Sequence, residues 1–117
     1  MKFIFEREEL LKEIAIAQEI IANKNVTSIL SNVLLIAENN SLTIKATDIK
    51  INFETKIPVE IQEEGTTTVF CDKFMGILNL LESGEVEFYQ ENSVITIKPL
   101  MGKRQVFKLN SMESDKF

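Results

Sequence analysis

The chain has 117 residues, with 13 Lys and Arg against 18 Asp and Glu, a net charge of −5, and 44% apolar and 26% charged side chains. That is the composition of a single soluble globular domain, long enough to bury a real core, and no apolar run approaches the length of a membrane span. Histidine is absent and cysteine occurs once, at Cys71, which excludes a histidine general base, an internal disulfide framework and the usual kind of zinc site. A lone cysteine fits a reducing cytoplasm, and the start "MKFIFERE" is too charged and too short for a signal peptide. The acidic balance, taken alone, argues against a nucleic-acid binder.

In chain order, "KFIF" at 2–5 reads as a short strand. Arg7 to about Asn23 reads as a helix, because Leu10, Ile14, Ala17 and Ile21 fall on one face. Its opposite face carries Glu8, Lys12, Ala15 and Glu19. A polar loop, "NKNVTS" at 23–28, leads to a strand at 32–38, "NVLLIAE", and "ENNS" supplies a turn.

The next stretch breaks its own rhythm. Leu42, Ile44 and Ala46 are apolar at even positions, whereas Ile49, Ile51, Phe53 and Ile57 are apolar at odd ones. A strand shows one face every second residue, so a change of parity turns the core face outward. A strand that ends at Thr47, turns at Asp48 and returns antiparallel keeps both apolar sets on one face. The alternative is a β-bulge in one long strand.

"EEGT" at 63–66 reads as a turn and "TTVF" at 67–70 as a strand rich in β-branched residues. Asp72 to about Glu82 reads as a second helix, with Phe74, Ile77, Leu78 and Leu81 as its apolar stripe and Gly84 suited to a C-terminal cap. "EVEFYQ", "SVITIKP" and "RQVFKL" read as three further strands.

The order is strand, helix, three strands, twice over. "ENNSLTIKA" at 38–46 is similar to "ENSVITIKP" at 91–99, with Leu42 matching Ile95 at an offset of 53. The chain is therefore expected to be α+β, a duplicated βαβββ unit with two helices on one side of antiparallel sheet.

With these elements in place, residues 1–117 resemble the first domain of the bacterial DNA polymerase III β subunit, the replicative sliding clamp. The resemblance rests on "MKFIFEREELLK" at the start, "ILSNVLL" at 29–35, "ATDIKI" at 46–51 and "GTTTVFCDKFMGIL" at 65–78. It implies the DNA-clamp fold, of which the family carries three domains per chain and closes a ring as a homodimer. These residues are expected to be the first domain, with the second and third domains of the family absent from this chain. It implies a non-catalytic role: the ring encircles duplex DNA without reading its sequence and tethers the polymerase. Polymerase and clamp loader would bind through the domains that this chain lacks, and no cofactor or metal is implied.

The resemblance also assigns residues. Lys24, after the first helix, and Lys73, in the first turn of the second, match positions that the family uses on DNA. Lys12 lies on the outward face of the first helix, beside Glu8 and Glu19, and is a lesser candidate. Without the resemblance each would read as an ordinary solvated lysine. Gly76 and Leu80 stand where clamps often show further basic residues, so DNA contact through this domain alone is expected to be weak. The strand at 102–109 matches the one that meets the neighbouring subunit, which makes Lys103, Arg104, Phe107 and Leu109 candidates for the ring seam. On sequence alone an edge strand protected by lysine accounts for the same pattern.

Two other classes bear on the same sequence. A free-standing α+β protein-interaction module without DNA binding would fit the low positive charge. A small enzyme would need a nucleophile–base pair or a glycine-rich phosphate loop, and neither is recognisable. Cys71 reads as a buried small apolar residue, and Glu60, Glu63 and Glu64 as a solvated acidic loop.

Overall fold

A computed structural model of the chain describes residues 1–22, 32–47, 52–101 and 105–111. The elements are β1 (Lys2–Glu6), α1 (Arg7–Ala22), β2 (Asn32–Glu38), β3 (Ser41–Thr47), β4 (Asn52–Pro58), β5 (Glu60–Glu63), β6 (Gly65–Phe70), α2 (Cys71–Leu80), β7 (Glu85–Glu91), β8 (Val94–Pro99) and β9 (Phe107–Asn110). They form two antiparallel sheets, of order β5-β1-β7-β8-β9 and β4-β3-β2-β6.

The duplication is visible in the pairing. β2-β3-β4 and β7-β8-β9 are matching meanders, each following a helix. The strand that opens each unit does not join its own meander. β1 pairs with β7, and β6 pairs with β2. Each half thus supplies strand to the other half's sheet, and the antiparallel strands form two sheets.

The change of parity is a hairpin. Leu42 faces Ile57, Ile44 faces Thr55 and Ala46 faces Phe53 across β3 and β4. Even positions of one strand lie over odd positions of the next, so both apolar sets share the buried face. The turn itself, with Asp48, Ile49 and Ile51, lies outside the described residues. The hairpin before it is tight: Asn39 and Asn40 join β2 to β3 with φ of 53° and 60°, and Asn92 does the same between β7 and β8 at 58°. Asparagine tolerates the left-handed region that two-residue hairpins need.

β5 is an element the sequence reading missed. After Pro58 the chain leaves the four-stranded sheet and pairs β5 with β1 in the other. The segment expected as a turn at 63–66 is instead mostly the ends of β5 and β6. Gly65 opens β6 because a Cβ there would lie 2.8 Å from Cβ of Met1.

The helices cover the inner sheet faces. Leu10, Ile14 and Ala17 of α1 and Phe74 and Leu78 of α2 are fully buried; the Ile21 side chain lies outside the described residues. They meet Phe3, Phe5, Val33, Leu35, Leu42, Ile44, Phe88, Ile95 and Ile97 from both sheets in one core. Phe88 stacks on Phe3 at 4.7 Å between ring centroids and meets the edge of Phe74 at 6.1 Å. The second helix stops at Leu80, with Leu81 extended and its N–H shared between the carbonyls of Ile77 and Leu78. Gly84 is therefore not its cap. Its φ of +129° serves the turn into β7, where its carbonyl accepts the Arg7 N–H at 2.9 Å.

Candidate nucleic-acid and subunit interface

The paired helices present one candidate surface. Arg7, at the start of α1, donates from Nε to the carbonyl of Leu78, near the end of α2, at 2.8 Å. Gln18, in the last turns of α1, donates to Asp72 in the first turn of α2. The two contacts tie opposite ends, so the helices lie side by side and antiparallel. The polar faces turn outward: Glu8, Glu9, Lys12 and Glu19 of α1, and Asp72, Lys73 and Asn79 of α2, are exposed.

Lys12 and Lys73 are both brought onto this helix layer, and neither forms an ion pair among the described residues. Lys24 lies outside the described residues. Around the two lysines the fixed charge is acidic, though part of it is engaged. Glu8 accepts from Ser83 Oγ at 2.8 Å and from Arg7, and these contacts hold its carboxyl below the usual range. Asp72 is occupied by Gln18.

The second candidate surface is the open edge of the five-stranded sheet. β9 pairs with β8 on one side, Ile95 facing Leu109 and Ile97 facing Phe107, and has no strand on its other side among the described residues. Lys103 and Arg104 lie outside the described residues. Lys108 is exposed, Phe107 is half-buried against the core, and Leu109 is only 7% exposed. The Leu109 side chain packs into this domain's own core. What β9 leaves available is its backbone edge and the outer part of Phe107.

Burial pushes the Cys71 thiol up to about 12, with Asp72 adding to the rise, so it is held neutral. No group of three or more His, Cys, Asp or Glu able to hold a metal ion occurs among the described residues. Among those residues, no helix is long and apolar enough to cross a membrane.

Fold and surfaces together define a duplicated α+β clamp-type domain with paired helices over two antiparallel sheets. The family model for the DNA polymerase III beta subunit, N-terminal domain, matches residues 1–117, and the chain belongs to that family. It is 47% identical to the beta sliding clamp of Treponema pallidum, over 100% of this chain and 31% of that protein. Among solved structures it is similar to the DNA polymerase III subunit beta of Pseudomonas aeruginosa, with TM-score 0.88 and 27% identity over 100% of this chain and 31% of that one. The Helicobacter pylori beta clamp shares the fold, with TM-score 0.89 at 24% identity and the same coverage. The chain thus spans about a third of the length of the curated relatives it matches.

Proposed function

We propose that this chain serves as the first domain of a bacterial DNA sliding clamp, a cytoplasmic, non-catalytic part of the replicative polymerase. In this reading three such domains per subunit, and two subunits, form a ring around duplex DNA. The ring tethers the polymerase by topology. The observation that carries the reading is the family match over all 117 residues, joined to a fold whose helices share one side.

Sequence-independent sliding requires weak phosphate contacts and no base readout. Lys12, Lys24 and Lys73 are assigned to the DNA side. With acidic side chains around Lys12 and Lys73, each contact is a brief one, and the ring rather than affinity keeps the protein on DNA. The open edge of β9, with Phe107 and Leu109 on it and Lys103 and Arg104 just before it, is assigned to the seam between subunits. There it would extend the sheet into the neighbour. Polymerase and clamp loader are assigned to the other domains.

The test uses duplex DNA with and without blocked ends. The isolated 117-residue chain should bind short duplex weakly and lose it with modest salt, because few counterions are released. The full-length ring should stay on circular DNA at the same salt. Replacing Lys24 or Lys73 by Ala in the ring should shorten residence without changing sequence preference. Tight or sequence-selective binding by the isolated chain would overturn the reading.

A further inference from the structure

Three Asn-Ser dipeptides occur in the chain, at 40–41, 92–93 and 110–111. Their local chemistry is the same, but the fold holds each in a different backbone. Asn39 and Asn40 both have positive φ, which makes the link between β2 and β3 a type I′ turn. Asn110 ends β9 in extended backbone. Asn92 and Ser93 form the two-residue link between β7 and β8, with Glu91 facing Val94 across it. There φ is positive at Asn92, 58°, and not at Ser93. That is the type II′ pattern, whose first position is ordinarily a glycine.

The turn type matters because an asparagine can be attacked by its own backbone. The nitrogen of the next residue adds to the side-chain Cγ and closes a five-membered ring. The ring closes only when Cβ eclipses that nitrogen about the Cα–C bond. In an L-residue Cβ stands about 120° round from the backbone nitrogen, so the eclipse needs ψ of about −120°, the value at the first position of a type II′ turn. The type I′ turn at Asn40 and the strand at Asn110 both miss it by roughly 100° or more.

Two contacts strengthen the case at Asn92. Gln90 Nε2 donates to the Asn92 carbonyl at 2.8 Å and to Ser111 Oγ at 3.1 Å. The Ser93 carbonyl accepts the Ser111 N–H at 2.9 Å. The peptide planes before and after Ser93 are thus both held. The Gln90 donor also sits on the oxygen where negative charge collects when the Ser93 N–H gives up its proton. The Asn92 side chain is exposed, and no side-chain hydrogen bond holds it among the described residues.

We infer that Asn92 is a site of spontaneous deamidation built into the turn between β7 and β8. The Ser93 nitrogen loses its proton and bonds to Cγ of Asn92. The bond from Cγ to the side-chain nitrogen breaks, and ammonia leaves with that proton. Water then opens the succinimide at either carbonyl, giving aspartate or isoaspartate. Both products add a negative charge. The isoaspartyl product also adds one atom to the backbone of a two-residue turn, which draws the carbonyl away from Gln90.

The experiment incubates the full-length protein in mildly alkaline buffer, folded and in urea, and follows the three dipeptides by peptide mapping and mass spectrometry. In the folded protein Asn92 should convert at least about tenfold faster than Asn40 or Asn110, as a positioned intramolecular reaction does. In urea the three rates should converge. Equal rates in the folded protein, or a slower Asn92, overturn the inference. A lead that persists in urea also overturns it, because the turn would not be its source. Gln90→Leu should slow Asn92 about fivefold, the worth of one hydrogen bond, and leave Asn40 unchanged. An unchanged or faster Asn92 in that variant overturns the role given to Gln90.

Discussion

Arg7 Nε donates to the Leu78 carbonyl at 2.8 Å and so places a cation at the C-terminal end of α2. Unpaired carbonyls and the helix dipole make that end negative, and Arg7 answers both. Its side chain is 14% exposed, so the contact is poorly screened. Arg7→Ala should cost about 1.5–3 kcal/mol, the range for a hydrogen bond to a charged group. Arg7→Lys should recover part of this. Urea unfolding of the isolated chain measures both, and a change under about 0.5 kcal/mol for the alanine variant, the scatter of ordinary surface substitutions, would remove the latch.

Phe88 joins β1 to α2 through the rings of Phe3 and Phe74. Phe88→Ala should cost about 3–5 kcal/mol, which is much of the stability of a domain this size. Phe88→Leu should be milder, since it leaves a smaller cavity. Thermal melts of the two variants give the order directly.

Cys71 supplies a pH test. In the unfolded chain its thiol ionises near 9, and in the folded chain near 12. The folded state therefore holds its proton more tightly, and this contribution is complete below pH 9 and lost as pH rises towards 12. The stability difference between the parent and Cys71→Ala should shrink across that window. At pH 8 a thiol reagent should react with Cys71 only as fast as the protein opens.

Glu63 gives the opposite sign. Its carboxyl bonds the amino group of Met1, and that contact holds it below its ordinary 4.5. A carboxyl lowered by folding stabilises above its unfolded value and loses that effect as pH falls through the folded one. Glu63→Gln should be less stable than the parent at pH 6, with the gap closing below about pH 4.5. Acetylating the amino group should mimic the variant. Denaturant midpoints at pH 6 and pH 3.5 decide it.

Much of this was legible in the chain. Strict periodicity gave both helix stripes, and the parity change between Ala46 and Phe53 gave the hairpin, because each rests on side-chain direction alone. What the sequence hid depends on the third dimension. β5 was obscured because Val59 and Ile61 continue the alternation of β4 while the chain crosses to the other sheet. The alternation of Phe107 and Leu109 showed that β9 has an apolar face. It did not show that this face belongs to the domain's own core, because which layer covers a strand is not written in its alternation. The lysines were found by resemblance, since nothing in local pattern separates Lys73 from any solvated lysine.

The crossed pairing of β1 with β7 and β6 with β2 means that neither half of the chain is complete. Cut between β5 and β6, each piece would hold a helix and a three-stranded meander, with its opening strand parted from the meander it pairs with: β1 would keep β5 but lose β7, and β6 would lose β2. One half expressed by itself would satisfy that strand only by exchanging it with a second copy, giving a symmetric pair whose folding depends on concentration. Joining two copies in one polypeptide turns that encounter into an intramolecular step and frees each half to diverge. The domain thus has the form of an ancestral dimer made permanent by gene fusion, and two separately made halves, mixed in equal amounts, should reassemble into it.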